Sequence, residues 1–214
     1  MQTFSKTERL TLFLLVPFYL IGVVLHLVNA TFPLMLVLTP FSILGTSILG
    51  FWFEAKAKSV PLLVWALGTF LVTLTLEIVG VATSLIFGAY TYGPTLGLSV
   101  LGVPLLIGIN WTIIILGLVE IVGDHVQSKP LVALVTATLT VVFDYVMEPV
   151  AIAFDYWTWT GGDIPLQNYI AWFCIAFLFA YLYQHYRLKT TNRVPTLIVI
   201  VQFVFFLLLR LFAL

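Results

Sequence analysis

Residues 130–154 read PLVALVTATLTVVFDYVMEPVAIAF, an apolar stretch that is interrupted by two acids, Asp144 and Glu148. The hydrocarbon core of a bilayer is about 30 Å thick, and a helix needs about 20 mostly apolar residues to cross it. This stretch is long enough and predicts a transmembrane helix. Further stretches meet the same criterion at approximately 10–28, 33–53, 61–87, 101–122, 168–186 and 195–213. The sequence therefore predicts an all-α polytopic membrane helix bundle of about seven transmembrane helices, with residues 1–214 as a single integral membrane domain.

The composition agrees with this fold class. Hydrophobic residues make up 62% of the chain and charged residues only 8%, whereas soluble domains average about 45–50% apolar and about 25% charged residues. A soluble enzyme and a disordered protein are excluded. Nine basic residues balance nine acidic ones, so no nucleic-acid partner is expected. The single cysteine, Cys174, has no partner for an intrachain disulfide.

The lysines and arginines predict how the chain lies in the membrane. Cytoplasmic loops carry an excess of these residues. With the N-terminus in the cytoplasm, the basic residues that fall inside are Lys6, Arg9, Lys56, Lys58, Lys129, Arg187, Lys189 and Arg193. Arg210 alone falls near the outer side. We expect an integral multi-pass protein of the cell (inner) membrane, with a cytoplasmic N-terminus and a C-terminus outside.

Several acids lie inside the apolar segments rather than in the loops. A charged side chain at the bilayer centre costs at least about 2.5–3.5 kcal/mol on insertion scales, so each such residue is a functional-site hypothesis. At about 100° per residue, Asp144, Glu148 and Asp155 fall on one face of a continuous helix. Pro149 removes a backbone donor beside them and predicts a local kink. Asp155, at the outer end, is equally well read as an anchor for the helix end.

Other polar residues fall at a similar depth in neighbouring segments. Glu77 lies in the outer half of the third segment, as Asp144 does in the fifth. Asn110 and Trp111 lie near the middle of the fourth. We expect these residues to converge below the outer loops. The alternatives are a structural hydrogen bond for a lone acid and interhelical contact alone for Asn110.

The two outer connections, residues 88–100 and 155–167, are rich in aromatic residues, glycine and proline. One reading of Tyr90, Tyr92, Trp157 and Trp159 is an aromatic belt at the level of the lipid headgroups. The density of aromatic and turn residues in both connections favours a second reading, a shaped cap over a buried site.

The residue inventory narrows the chemistry. Three scattered histidines cannot supply the ligand clusters of an iron oxygenase, and no metal site is predicted. The seventh segment has no lysine for a retinal Schiff base. No glycine-rich phosphate loop is present. Two kinds of function remain: acid catalysis on an apolar molecule without a cofactor, and transport.

The acids and the aromatic residues lie in stretches that resemble a known family. The stretches are Glu77-Ile-Val-Gly80, Phe87 to Tyr92, Gly102-Val-Pro104, Asn110-Trp111, Asp144-Tyr-Val-Met-Glu148-Pro149, Trp157-Thr-Trp159, Ile164-Pro165, Asn168 and Trp172. Together they resemble the carotenoid biosynthesis membrane proteins, which include the CruF-type carotenoid 1,2-hydratases and the bisanhydrobacterioruberin hydratases. The resemblance covers about residues 77–172. Glu148 stands where the family usually has Asp, and the turn at Gly161-Gly162-Asp163 usually carries an aromatic residue.

The resemblance implies addition of water to the terminal 1,2 double bond of an acyclic carotenoid end group, of the lycopene or γ-carotene type, without a cofactor. Protonation of the alkene would give a tertiary carbocation that water captures. We expect Asp144 to donate the proton, Glu148 to set its protonation state, and Glu77 to position or deprotonate water. The labels of acid and base are interchangeable at this stage. The expected substrate-binding residues are Tyr90, Tyr92, Asn110, Trp111, Asp155, Trp157 and Trp159.

Three other functions fit the same residues. A lycopene-type cyclase would protonate the same end group but exclude water. A small membrane transporter or channel would use an acid-lined cavity, although no internal repeat is visible. The third alternative is a protein that binds a carotenoid without catalysis. In the catalytic readings, the long polyene reaches the site laterally from the membrane lipid.

Overall fold

Seven long helices dominate the part of the chain that the structure, a computed structural model, describes, residues 5–214. They are α1 (Lys6–Leu27), α2 (Phe32–Lys56), α3 (Val60–Thr83), α4 (Leu105–Gly123), α5 (Lys129–Ala153), α6 (Leu166–His185) and α7 (Val194–Phe212). Each is long and apolar enough to cross a membrane. The predicted fold class, an all-α polytopic membrane bundle, is confirmed.

The helix starts follow from local sequence. Pro33, Pro61, Pro130 and Pro195 lie in the first turns of α2, α3, α5 and α7. Proline suits this position because the first N–H groups of a helix have no partner inside it. In α1, the Ser5 side chain caps the helix instead and is bonded reciprocally with Glu8.

Helix α4 lies at the centre of the bundle and contacts α2, α3, α5, α6 and α7. Its residues Ile113, Ile114, Ile115 and Leu116 are completely buried. Helices α5 and α6 form the most extensive pair. The acids Asp144 and Glu148 of α5 are buried on this side, where Asn168 of α6 donates to both.

The connection between α3 and α4 and the connection between α5 and α6 contain four short strands. These are β1 (Tyr90–Tyr92), β2 (Ser99–Val100), β3 (Val103–Pro104) and β4 (Trp157–Trp159). Strand β1 pairs antiparallel with β4, and β2 pairs with β3. The approximate limits of two predicted helices shift as a result. Helix α3 ends at Thr83 instead of residue 87, where Ser84 takes a left-handed conformation (φ 58°), and α4 begins at Leu105 instead of residue 101 because β3 precedes it.

Pro149, inside α5, leaves a backbone carbonyl free, and a residue of α7 binds that carbonyl. Pro149 has no N–H, so it leaves the carbonyl of Tyr145, four residues earlier, without its helical hydrogen bond. The guanidinium of Arg210 on α7 donates to that carbonyl. It also lies 4.5 Å from the centre of the Tyr145 ring. Arg210 of α7 thus replaces the hydrogen bond that α5 lacks next to the acid Glu148.

At the opposite end of the bundle, three carboxylates hold the connection between α6 and α7; Glu8 and Glu54 are buried, and Glu120 is half-buried. Glu54 is fully buried and accepts hydrogen bonds from the backbone N–H of Thr191 at 2.8 Å and from Asn192 Nδ2 at 2.9 Å. Glu8 accepts from the backbone N–H of Arg193 at 2.8 Å. Glu120 accepts from Tyr183 at 2.5 Å. These acids are explained by structural hydrogen bonds.

Candidate active site

The pairing of β1 with β4 places four aromatic side chains on one face. Tyr90 lies opposite Trp159, and Tyr92 lies opposite Trp157. Side chains alternate along a strand, so these aromatic residues point to the helices, while Thr91 is exposed on the other face. We call Tyr90, Tyr92, Trp157 and Trp159 the aromatic cap. Because Tyr90, Trp157 and Trp159 are buried, the structure favours the cap over the headgroup belt.

Beneath the cap lies a small cavity that is lined by three acids, Glu77, Asp144 and Glu148. All three are buried, with exposed fractions of 1–3%. We call this cavity the acid chamber. The other lining residues are the aromatic cap, Ile107, Trp111, Asn168 and Trp172. Its volume is about 20 Å³, which is room for about one water molecule.

Glu77, from α3, is held by the two tyrosines of the cap. The hydroxyls of Tyr90 and Tyr92 both donate to Glu77 Oε2, the second at 2.6 Å. Burial, reinforced by the nearby Glu77 carboxylate, raises the pKa of both tyrosines well above the usual range. Both phenols therefore stay protonated and donate. Glu77 Oε1 accepts no hydrogen bond from any residue that the structure describes.

Glu148, on α5, accepts hydrogen bonds from three N–H groups. Trp157 Nε1 and Trp159 Nε1 donate to its Oε2 at 2.9 and 3.0 Å, and Asn168 Nδ2 donates to its Oε1 at 3.2 Å. The indoles of the cap thus serve as hydrogen-bond donors as well as covering the chamber. Such donors stabilise a carboxylate in its ionised form.

Asp144, one turn before Glu148, has a poorer set of partners. Asn168 Nδ2 donates to Asp144 Oδ2 at 2.8 Å, and the same amide bridges to Glu148. Within residues 5–214, no side chain or backbone group hydrogen-bonds to Asp144 Oδ1. The two acids of α5 are therefore linked through one amide, but Glu148 accepts three hydrogen bonds and Asp144 accepts one.

Trp111 and Trp172 form a wall of the chamber. Their rings stack with centroids 3.9 Å apart, and both are buried. Asn168 and Trp172 were absent from the predicted site residues, although both lie in the stretches that resemble the family. A polar residue in the first turn of an apolar segment, with an aromatic residue one turn later, is the signal that marks them.

The structure does not bring Asn110 and Asp155 to the acid chamber. Asn110 points away from the chamber that its neighbour Trp111 lines, since adjacent helical residues differ by about 100°. It accepts a hydrogen bond from Gln202 Nε2 on α7 at 3.2 Å. The predicted common face of the acids is wrong for Asp155. Helix α5 ends at Ala153, and Asp155 is exposed with φ 56°.

The cap depends on a glycine at the end of β1. Gly93 donates its N–H to the carbonyl of Tyr156 at 2.9 Å, and a Cβ on Gly93 would lie 2.1 Å from the carbonyl oxygen of Asp155. Gly93→Ala should separate β1 from β4 and lower the free energy of unfolding by about 1–3 kcal/mol. Thermal unfolding in detergent measures this effect. The control is Gly68→Ala on α3, where an added Cβ meets nothing within 4 Å. Equal melting temperatures for the two variants would contradict the expected clash.

Comparison with known proteins finds a protein family whose sequence model matches most of the chain. The sequence model of the family described as "Carotenoid biosynthesis protein" matches residues 37–214. The chain is also similar to the bisanhydrobacterioruberin hydratase of Haloarcula japonica, with 30% identity over 185 aligned residues. The alignment covers 79% of this chain and 62% of that relative, so the chain spans less than two thirds of the relative's length. No solved structure matches the chain.

Proposed function

The chain belongs to the carotenoid biosynthesis protein family, and from this we propose that it is a cofactor-independent carotenoid hydratase. The proposed reaction adds water to the terminal 1,2 double bond of an acyclic carotenoid end group, of the lycopene or γ-carotene type. The observation that carries the proposal is the meeting of Glu77, Asp144 and Glu148 in one buried chamber under an aromatic cap. The similarity to a hydratase supports it.

Asp144 donates the proton in this proposal. Glu148 receives three N–H donors and is the ionised member of the pair. Its negative charge favours the protonated form of the neighbouring Asp144. The proton passes from Asp144 to the less substituted alkene carbon, where the π electrons form the new C–H bond. The other alkene carbon becomes a tertiary carbocation.

The walls of the chamber stabilise that cation. Aromatic faces attract positive charge, and the stacked pair Trp111 and Trp172 presents such faces beside the aromatic cap. Burial also keeps bulk water away from the cation. Since the chamber has room for about one water, the cap and the tryptophan wall must shift to admit an end group.

Glu77 directs the capture of the cation by water. Its Oε2 is fixed by Tyr90 and Tyr92, which leaves Oε1 to accept a hydrogen bond from water. A lone pair of the water oxygen forms the C–O bond, and the released proton goes to Glu77. Return of this proton to Asp144 restores the starting state. The sum is one water added to one alkene, with no oxidant or reductant consumed.

The membrane and the orientation are part of the proposal. We place the chain in the cell (inner) membrane with the N-terminus in the cytoplasm. Glu8 at the start of α1 bonds to the backbone of Arg193, so the N-terminal end of the bundle lies beside the basic connection between α6 and α7. The positive-inside rule then puts both on the cytoplasmic side. The acid chamber faces the outer half of the membrane in this arrangement.

Pigment analysis tests the function directly. The chain is expressed in cells that accumulate lycopene or γ-carotene, and the extracted pigments are separated and weighed by mass spectrometry against cells without the protein. We expect a product heavier by one water per reacted end group. An isomer of unchanged mass would instead identify a cyclase. Unaltered pigments in cells whose membranes contain the folded protein would contradict the proposal for both substrates.

A further inference from the structure

A second, larger cavity lies outside the acid chamber, between α1, α2, α4 and α7. Its volume is about 190 Å³ and its lining is mainly apolar. Phe18, Ile21 and Leu38 line it and are 48, 57 and 41% exposed, so the cavity opens on a surface that faces lipid in a membrane-spanning bundle. We call it the lateral cavity.

A narrow third cavity lies between the lateral cavity and the acid chamber. It shares Asn110, Tyr156 and Phe206 with the lateral cavity. It shares Trp111 and Trp157 with the acid chamber. We call it the neck. The lateral cavity, the neck and the acid chamber thus follow one another, and each shares lining residues with the next.

The lateral cavity also contains buried acceptors without partners. Gln202 Oε1 and His26 Nε2 have no hydrogen bond in the described part of the chain, and the two side chains are only 2% and 9% exposed. His26 Nδ1 lies 2.6 Å from the carbonyl of Gly22, which makes Nδ1 the donor and Nε2 the acceptor. Buried acceptors without a partner are destabilising. A hydrogen-bond donor bound in the cavity would satisfy these acceptors, and water, the second reactant of the proposed hydration, is such a donor.

We propose that the lateral cavity binds the polyene chain of the substrate together with water at Gln202, and that the neck leads the end group to the acid chamber. The identity of the ligand rests on the proposed function. Pockets for apolar ligands are mostly apolar with a few placed polar groups, as this cavity is. The polyene lies partly in lipid and partly in the protein, and it need not cross the headgroups.

A neighbouring groove provides a matched comparison. It lies between α2, α3 and α4, has a volume of about 410 Å³, and is also apolar. None of its lining residues, within the described chain, lines the neck or the acid chamber. Size and apolar character alone therefore do not single out the lateral cavity. Its connection to the acids does.

Two tryptophan substitutions on α2 separate the two cavities. Ser42 lines the lateral cavity and Leu44 lines the groove. The full chain is purified in mild detergent from lycopene-accumulating cells, and the polyene retained per protein is measured by absorbance. We expect Ser42→Trp to retain less polyene by about tenfold or more, and Leu44→Trp to retain as much as the unaltered protein.

A second variant fills the cavity after folding. Ser42→Cys in a Cys174→Ala background, labelled with a bulky maleimide, should lose polyene as Ser42→Trp does. Equal retention by the labelled and unlabelled protein would overturn the proposal, as would an unaltered protein that retains no polyene. These outcomes do not depend on turnover. Polyene that is bound in the lateral cavity but never hydrated would instead overturn the proposed function and leave the binding site standing.

Discussion

Asp144→Asn should lower the rate of hydration by about 10²–10⁴-fold, the usual contribution of a general acid. Asparagine matches aspartate in shape but has no acidic proton to give to an alkene. Its carbonyl oxygen can still accept the hydrogen bond that Asn168 donates to Asp144 Oδ2, so the packing of α5 on α6 should persist. The rate is measured as hydrated carotenoid formed per folded protein in membranes.

The control is the same substitution at an exposed acid. Asp163 lies in the connection between α5 and α6 and is exposed, so Asp163→Asn should leave the rate unchanged. Normal turnover by Asp144→Asn would remove this residue from the mechanism. A similar loss in both variants would mean that the effect is not specific to the acid chamber.

Glu77→Gln should lower the yield of hydrated product by about 10²-fold or more, but with a different product pattern. Glutamine keeps an oxygen that can accept from Tyr90 and Tyr92, although it cannot take a proton from water. Asp144 still protonates the end group, so the cation still forms. Without water activated at Glu77, the cation should lose a proton or react with an internal double bond. Isomers of unchanged mass should therefore accumulate in this variant and be absent from Asp144→Asn.

Glu120→Gln is the matched control for this prediction. Glu120 also accepts from a tyrosine and a second hydroxyl, Tyr183 at 2.5 Å and Thr190 at 2.6 Å, but it does not line the acid chamber. The hydration rate of the Glu120→Gln variant, per folded protein, should equal that of the unaltered protein. If isomers accumulate in Asp144→Asn and not in Glu77→Gln, the roles of acid and base are exchanged between these two residues.

The fold class was predictable because the bilayer imposes a length on each helix. Apolar stretches of sufficient length mark the helices without any knowledge of their partners. The convergence of Glu77 with Asp144 and Glu148 was also predictable, since depth and helical angle are set by position in the chain. The same reasoning failed for Asp155, because it assumed that α5 continues beyond Ala153.

The parts of the site that escaped prediction depend on contacts between distant segments. Strands of three residues such as β1 and β4 are too short for an alternation pattern to identify. Their pairing, and therefore the hydrogen bonds from Trp157 and Trp159 to Glu148, appears only in three dimensions. Asn168 is similar. Its sequence position shows a polar residue at a helix start, but not that one amide bridges two acids.

The pairing of β1 with β4 has a consequence for biogenesis. Chains are made from the N-terminus and fold progressively during synthesis. Glu77 and β1 are inserted early, whereas β4 and Asn168 leave the ribosome only after α5 is complete. The chamber is therefore assembled last, when α6 docks beside α5. Glu148 therefore gains the last of its three N–H donors, Asn168, only when α6 docks, so the link between Glu148 and Asp144 forms at the end of assembly.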